Sequence, residues 1–208
     1  ISTGEEQELV MRGNIVRCWH LSPDGAKLAA TSVGNTTKIW DFATGEGLSV
    51  VEHEDGESAE LFSPDGTKLA TKATDNKVKI WDAATGEELA IMHHEDWVYD
   101  ISFSPDGEWL VTASGDHTAK IWNAAHGVRL ANIHHNDDVR AVAFSPDGAW
   151  LATASGDGVV KVWLWQPEDL INEACSRLSR NLTPEEWDQY MQQYLPGKPY
   201  CKTCPNLP

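Results

Sequence analysis

The amino-acid sequence predicts an all-β protein built from four copies of a four-stranded antiparallel sheet, followed by a short α-helical tail. Three observations carry that prediction. Ser-Pro-Asp-Gly starts at Ser22, Ser63, Ser104 and Ser145, and every step is 41 residues. Trp40, Trp81, Trp122 and Trp163 keep the same step. Thr3-Gly4, Thr44-Gly45 and Thr85-Gly86 follow it too, with His126-Gly127 as the fourth copy. A period of this size marks an array of supersecondary units, each burying its apolar face on its neighbours.

Within one unit, Val98-Tyr99-Asp100-Ile101-Ser102-Phe103 and Trp109-Leu110-Val111-Thr112-Ala113 flank Ser104-Pro105-Asp106-Gly107. Pro presets φ and Gly accepts φ > 0, so the four residues make a hairpin turn. Thr118-Ala119-Lys120-Ile121-Trp122 and Val128-Arg129-Leu130-Ala131-Asn132-Ile133 follow after Gly-Asp and His-Gly turns and read as a third and fourth strand. Four short strands per 41 residues correspond to one blade of a β-propeller.

Residues 165-208 change character. Pro167 suits a first helical position, and Leu170, Ile171, Ala174 and Leu178 form one apolar stripe. Thr183-Pro184-Glu185-Glu186 is a capping box. The helix it opens carries Trp187, Tyr190, Met191 and Tyr194 at helical spacing and stops at Pro196-Gly197.

Composition narrows the function. The 208 residues hold 16 Lys+Arg against 32 Asp+Glu, a net charge of −16 that repels nucleic acid and anionic membrane surfaces. No apolar run approaches the roughly 20 residues a spanning helix needs, and the first residues carry no targeting pattern. Four Cys are too few for a disulfide scaffold and agree with a reducing, cytoplasmic setting. The chain begins at Ile1 rather than Met and reads as part of something longer.

Ser-Pro-Asp-Gly, Ser-Gly-Asp, Lys-Ile-Trp-Asp and Thr-Gly-Glu in one register resemble the WD-repeat family of β-propellers over residues 1-164. The resemblance implies a structural tetrad in each blade, joining a His, a Ser or Thr, an Asp and the Trp. It is expected at His94, Ser114, Asp116 and Trp122, and again at His135, Ser155, Asp157 and Trp163. The second blade offers His53, Asp75 and Trp81 with Ala73 at the Ser position. The first offers Ser32 and Trp40, with Gly34 and Arg12 at the Asp and His positions, so these two blades are expected to be softer. Residues 1-13 align with a fourth strand, whereas Leu164-Trp165-Gln166-Pro167 after Trp163 supply none. As is common in the family, residues 1-13 are expected to be the outer strand of a closing or neighbouring blade, leaving no open edge. Four blades make a tight ring for this repeat, so self-association or association with further blades is expected; two chains would make eight. The tail resembles the C-terminal extension of bacterial, cyanobacterial-type signalling NTPases that carry WD repeats. The matching residues run through Asp169-Leu170-Ile171, Asn181-Leu182-Thr183-Pro184 and Thr203-Cys204-Pro205, and imply that the natural C-terminus is present.

Catalytic and metal chemistry find little support. A His, a Ser and an Asp that recur every 41 residues with a Trp partner suit a buried hydrogen-bond network better than a nucleophile triad. Neighbouring residues such as His93-His94 and His134-His135 point to opposite faces of a strand and cannot easily chelate together. Cys201-Lys202-Thr203-Cys204 lacks a second half-site and reads as ordinary thiols or a labile disulfide. No cofactor and no metal are expected.

What distinguishes the blades is surface. Trp97 and Tyr99 fall three and five residues after His94, positions that in WD-repeat proteins line the entrance of the central channel. Their equivalents are Asp138 and Arg140, Ile15 and Arg17, and Gly56 and Ser58. Aromatic and Arg side chains have the composition of an interface hot spot. The sequence therefore predicts a non-catalytic scaffold or sensor that binds a protein or peptide, in a larger bacterial signalling protein. The alternative is a propeller enzyme acting on a small molecule at the central channel.

Overall fold

The computed structural model describes residues 15–33, 35–53 and 59–165. The expected outer strand at 1-13 and the helical tail at 166-208 lie outside the described residues, as do Arg12, Gly34, Gly56 and Ser58.

Among the described residues, fifteen strands form four antiparallel sheets in chain order. The first holds β1 (Val16–Leu21), β2 (Lys27–Ser32), β3 (Thr36–Asp41) and β4 (Gly47–Glu52). The second holds β5 (Ala59–Phe62), β6 (Lys68–Lys72), β7 (Lys77–Asp82) and β8 (Glu88–His93). The third holds β9 (Val98–Phe103), β10 (Trp109–Ser114), β11 (Thr118–Asn123) and β12 (Arg129–His134). The fourth has three described strands, β13 (Val139–Phe144), β14 (Trp150–Ser155) and β15 (Val160–Leu164). Each sheet is a plain meander, consistent with the propeller blade predicted from the repeat.

The repeated turn residues explain the repeated hairpins. Ser63 donates to Asp65 Oδ1 at 2.6 Å, Asp65 accepts the Thr67 amide, and Ser63 Oγ accepts the Lys68 amide at 2.9 Å. Burial alone would raise the Asp65 carboxyl, but the hydrogen bonds from Ser63 and Thr67 prevail and bring it to about 2. At the third turn Asp82 caps the Ala84 and Thr85 amides, and Gly86 follows at φ +76°, where a Cβ would meet Val50 O at 3.0 Å. Only glycine fits that approach.

Three cores lie between successive sheets, since each sheet is apolar on both faces. Ala29, Ile39 and Val51 of the first sheet meet Phe62, Leu69 and Trp81 of the second. Val78, Ile80 and Met92 of the second meet Val98, Ile101 and Phe103 of the third. Val111, Ala113, Ala119 and Ile121 of the third meet Val139, Val142 and Leu151 of the fourth. Strand β10, in the middle of the array, is buried at every position. Polar ties cross the junctions: Ser49 Oγ donates to Ala83 O at 3.0 Å, and the Val142 amide donates to Asp100 Oδ2 at 3.0 Å. Trp165, which the sequence groups with the tail, is buried edge-on against Trp109 and Phe144. No helix among the described residues is long and apolar enough to cross a membrane.

Candidate functional site

The polar heart of the third sheet differs from the sequence expectation in one member. His94 Nδ1 lies 2.8 Å from Asp116 Oδ2, but His94 Nε2 lies 2.6 Å from Thr112 Oγ1, and the Trp122 indole donates to the same Thr112 oxygen at 2.9 Å. Thr112, and not Ser114, is the hydroxyl of the tetrad. Ser114 lies on the same face of β10 two residues on, where it donates to Asp96 O at 2.9 Å and accepts the Asp116 amide at 3.1 Å. It shapes the turn that presents Asp116.

The indole N–H can only donate, so Thr112 accepts from Trp122, and the ionised Asp116 can only accept, so His94 Nδ1–H donates to it. That leaves the Nε2 lone pair of the neutral ring to accept the Thr112 proton, fixing the tautomer. Burial lowers the His94 pKa, against the pull of Asp116. Burial would raise the Asp116 carboxyl, yet hydrogen bonds from His94, Thr118 and Lys120 overcome it and hold the group far below the usual carboxylate range. Lys120, itself buried, donates to Asp116 Oδ2 at 2.9 Å and to His93 O at 3.2 Å. The order hydroxyl, imidazole, carboxylate is that of a hydrolase triad. Thr112 is nevertheless fully buried, with its oxygen occupied by Trp122 and His94, so no carbonyl substrate can reach it.

The correction runs through the other blades. In the fourth, His135 Nε2 lies 2.8 Å from Thr153 Oγ1, while Ser155 donates to Asp137 O at 3.0 Å. Asp157 is exposed and accepts the Val159 amide, and His135 Nδ1 has no hydrogen-bond partner among the described residues. Trp163 is exposed as well, so the set that looked complete in sequence is half assembled. In the second blade Trp81 donates to Thr71 at 2.8 Å, so Ala73 interrupts nothing. Asp75 pairs with Lys77, and His53 packs edge-on against Trp81 and lies 2.7 Å from Thr37 Oγ1. In the first blade the corresponding position is Ala30, and Ser32 bonds Thr36 instead. Thr71, Thr112 and Thr153, ten residues before three of the four repeated tryptophans, keep the 41-residue step, but Ser114 and Ser155 keep it too, so spacing alone does not choose between them.

Above this network, the loop face brings several predicted residues together. Tyr99 donates to Asp138 Oδ2 at 3.0 Å, Arg140 donates to the same oxygen at 2.8 Å, and the Arg140 guanidinium sits 4.4 Å from the Tyr99 ring centroid. The hydrogen bond to Asp138 raises the Tyr99 phenol pKa. Trp97 stands beside Tyr99 in sequence with 40% of its surface exposed. Ile15 and Arg17 are exposed at the start of the first sheet, and no bond joins them to this cluster among the described residues. His117, overlooked in the sequence, comes within 3.6 Å of Asp138 Oδ1. It occupies the left-handed turn position that Asn35, Asn76 and Gly158 take in the other blades, at φ +63°. His117, Asp137 and Asp138 each place one potential ligand atom within 4.8 Å of the others. His93 and His134 are exposed while His94 and His135 are buried, so neither pair converges on one point. Beside the cluster, a cleft of about 530 Å³ is lined by Glu95, Asp96, Asp116, His117, Lys120 and Arg129 among others.

Four stretches, residues 6–41, 49–82, 86–123 and 127–163, match the WD domain, G-beta repeat. The chain belongs to that family. WD-repeat domains are in general protein-interaction scaffolds without catalysis, which agrees with a hydroxyl network sealed inside the sheets. Among solved structures, the computationally designed Ika4 protein is similar at 26% identity and a TM-score of 0.64, over 78% of this chain and all of its own. No curated protein matches.

Proposed function

We propose that this chain is a non-catalytic module that binds a protein or peptide on the loop face above the junction of the third and fourth sheets. The observation that carries the reading is the locked cluster of Tyr99, Asp138 and Arg140 beside the exposed Trp97. Aromatic and Arg side chains dominate interface hot spots, and side chains already held in place lose less entropy on binding. Glu95, Asp96, Asp137 and Asp138 crowd the same loops of a chain with net charge −16, so a basic segment is the favoured partner. The sequence likeness of residues 165-208 to bacterial signalling proteins supports a cytoplasmic scaffold or sensor role in a larger protein. An array of basic, neutral and acidic peptides tests the reading. Basic peptides should bind the intact chain, and Trp97→Ala and Asp138→Asn should each weaken binding about tenfold or more with the thermal midpoint nearly unchanged. Undiminished binding by both variants, or a loss of stability like that of a core deletion, overturns it.

A further inference from the structure

The two ends of the array expose side chains whose repeat counterparts are buried at internal junctions. Ile101 and Val142, on the first strands of the third and fourth sheets, are 8% and 6% exposed because they pack on the sheet before. Trp19, at the same repeat position of the first sheet, is 62% exposed. Leu21 is exposed where Phe62 and Phe103 are buried, and Val16 where Val98 and Val139 are buried. The other end is the mirror case. Ala119 and Ile121, on the third strand of the third sheet, are 0% and 2% exposed because they pack on the sheet after. Val160 and Val162, at those positions of the fourth sheet, are 63% and 60% exposed, and Trp150 is exposed where Trp109 is buried.

Repeat symmetry makes these two surfaces complementary. Ile101 shares a core with Val78 and Ile80, and Val142 shares one with Ala119 and Ile121. One repeat further on, the partners of a residue at the Trp19 position are residues at the Val160 and Val162 positions, which are exposed and apolar. Strand β1 and strand β15 therefore carry the two halves of one more junction of the kind seen between the second and third and between the third and fourth sheets.

We propose that a second copy of this chain docks head to tail, with Trp19, Val16 and Leu21 of each copy packing on Val160 and Val162 of the other. Two such contacts close a ring of eight blades, within the usual range of four to eight. The contact is heterologous, so it closes only if the rotation per blade completes a circle at two copies. Its continuity with these internal junctions is what singles out a second copy as the occupant. The proposal uses none of the loop-face residues and stands or falls apart from the peptide-binding reading.

Light scattering behind a sizing column, on the full chain at micromolar concentration, reads the outcome. The expected mass is twice the 23.0 kDa of one chain. Trp19→Glu alone, and Val160→Glu with Val162→Glu, should each give a monomer with an unchanged far-ultraviolet spectrum, because all three side chains are exposed in a single copy. Mixing the two variants should restore a one-to-one pair, since one sound junction remains between them. A monomeric parent chain, whose ends are then covered by its own residues 1-14 or 166-208 or left bare, overturns the proposal. So does an open-ended series of larger species, or a mixture that stays monomeric.

Discussion

The Thr112 hydroxyl lies 2.6 Å from His94 Nε2, and through it a single direction of proton donation runs across the third sheet. Trp122 gives to Thr112, Thr112 to His94, and His94 to Asp116. These groups come from β11, β10, the loop before β9 and the turn before β11. The chain of bonds ties β10 and β11 to the loop before β9, in which Trp97 lies.

Removing the Thr112 hydroxyl should be costly. Thr112→Val keeps the shape but strands the Trp122 indole and His94 Nε2, two buried groups worth about 1–3 kcal/mol each when left unmet. Thr153→Val should cost less, because in the fourth blade Trp163 is exposed and only His135 meets the hydroxyl. Urea denaturation of both variants checks the order, and equal losses would show that the network does not set blade stability.

Acid should destabilise the fold in two stages. His94, and His135 with it, titrate below their ordinary 6.5 when folded, chiefly because burial disfavours the charged ring. As pH falls past that value the unfolded chain takes up protons first, so stability drops. Asp116 is also lowered from 3.8, so a further drop follows as pH falls through the carboxylate range. Both signs agree: the midpoint of denaturation should decline steadily from about pH 7.5 downward. A midpoint that is flat or rises between about pH 7.5 and 5 would contradict the buried, neutral histidines.

Trp165→Ala should behave as a core deletion. The indole is buried against Trp109 and Phe144, and losing a buried Trp typically costs about 3–5 kcal/mol. Chain ending at residue 164 should lose as much. A thermal midpoint close to that of the parent chain would return Trp165 to the tail, where the sequence alone had grouped it.

The sequence by itself determined the repeat, the strand count per unit and the turns, because Ser-Pro-Asp-Gly, Thr-Gly and Trp act through local backbone geometry and recur in register. It also determined that Trp97 and Tyr99 hold the places in their blade that Asp138 and Arg140 hold in the next. Which hydroxyl joins His94 was not legible in motif spacing. Thr112 and Ser114 share a face of one strand, and only the cross-strand register that sets Thr112 beside Lys120 and Leu110 beside Trp122 brings the indole over Thr112. Tertiary structure alone also decided that the tetrad of the fourth blade is half assembled and that Trp165 enters the core. Burial belongs to the junction between sheets rather than to any one repeat, so identical positions such as Ile121 and Val162 differ according to whether another sheet lies against them.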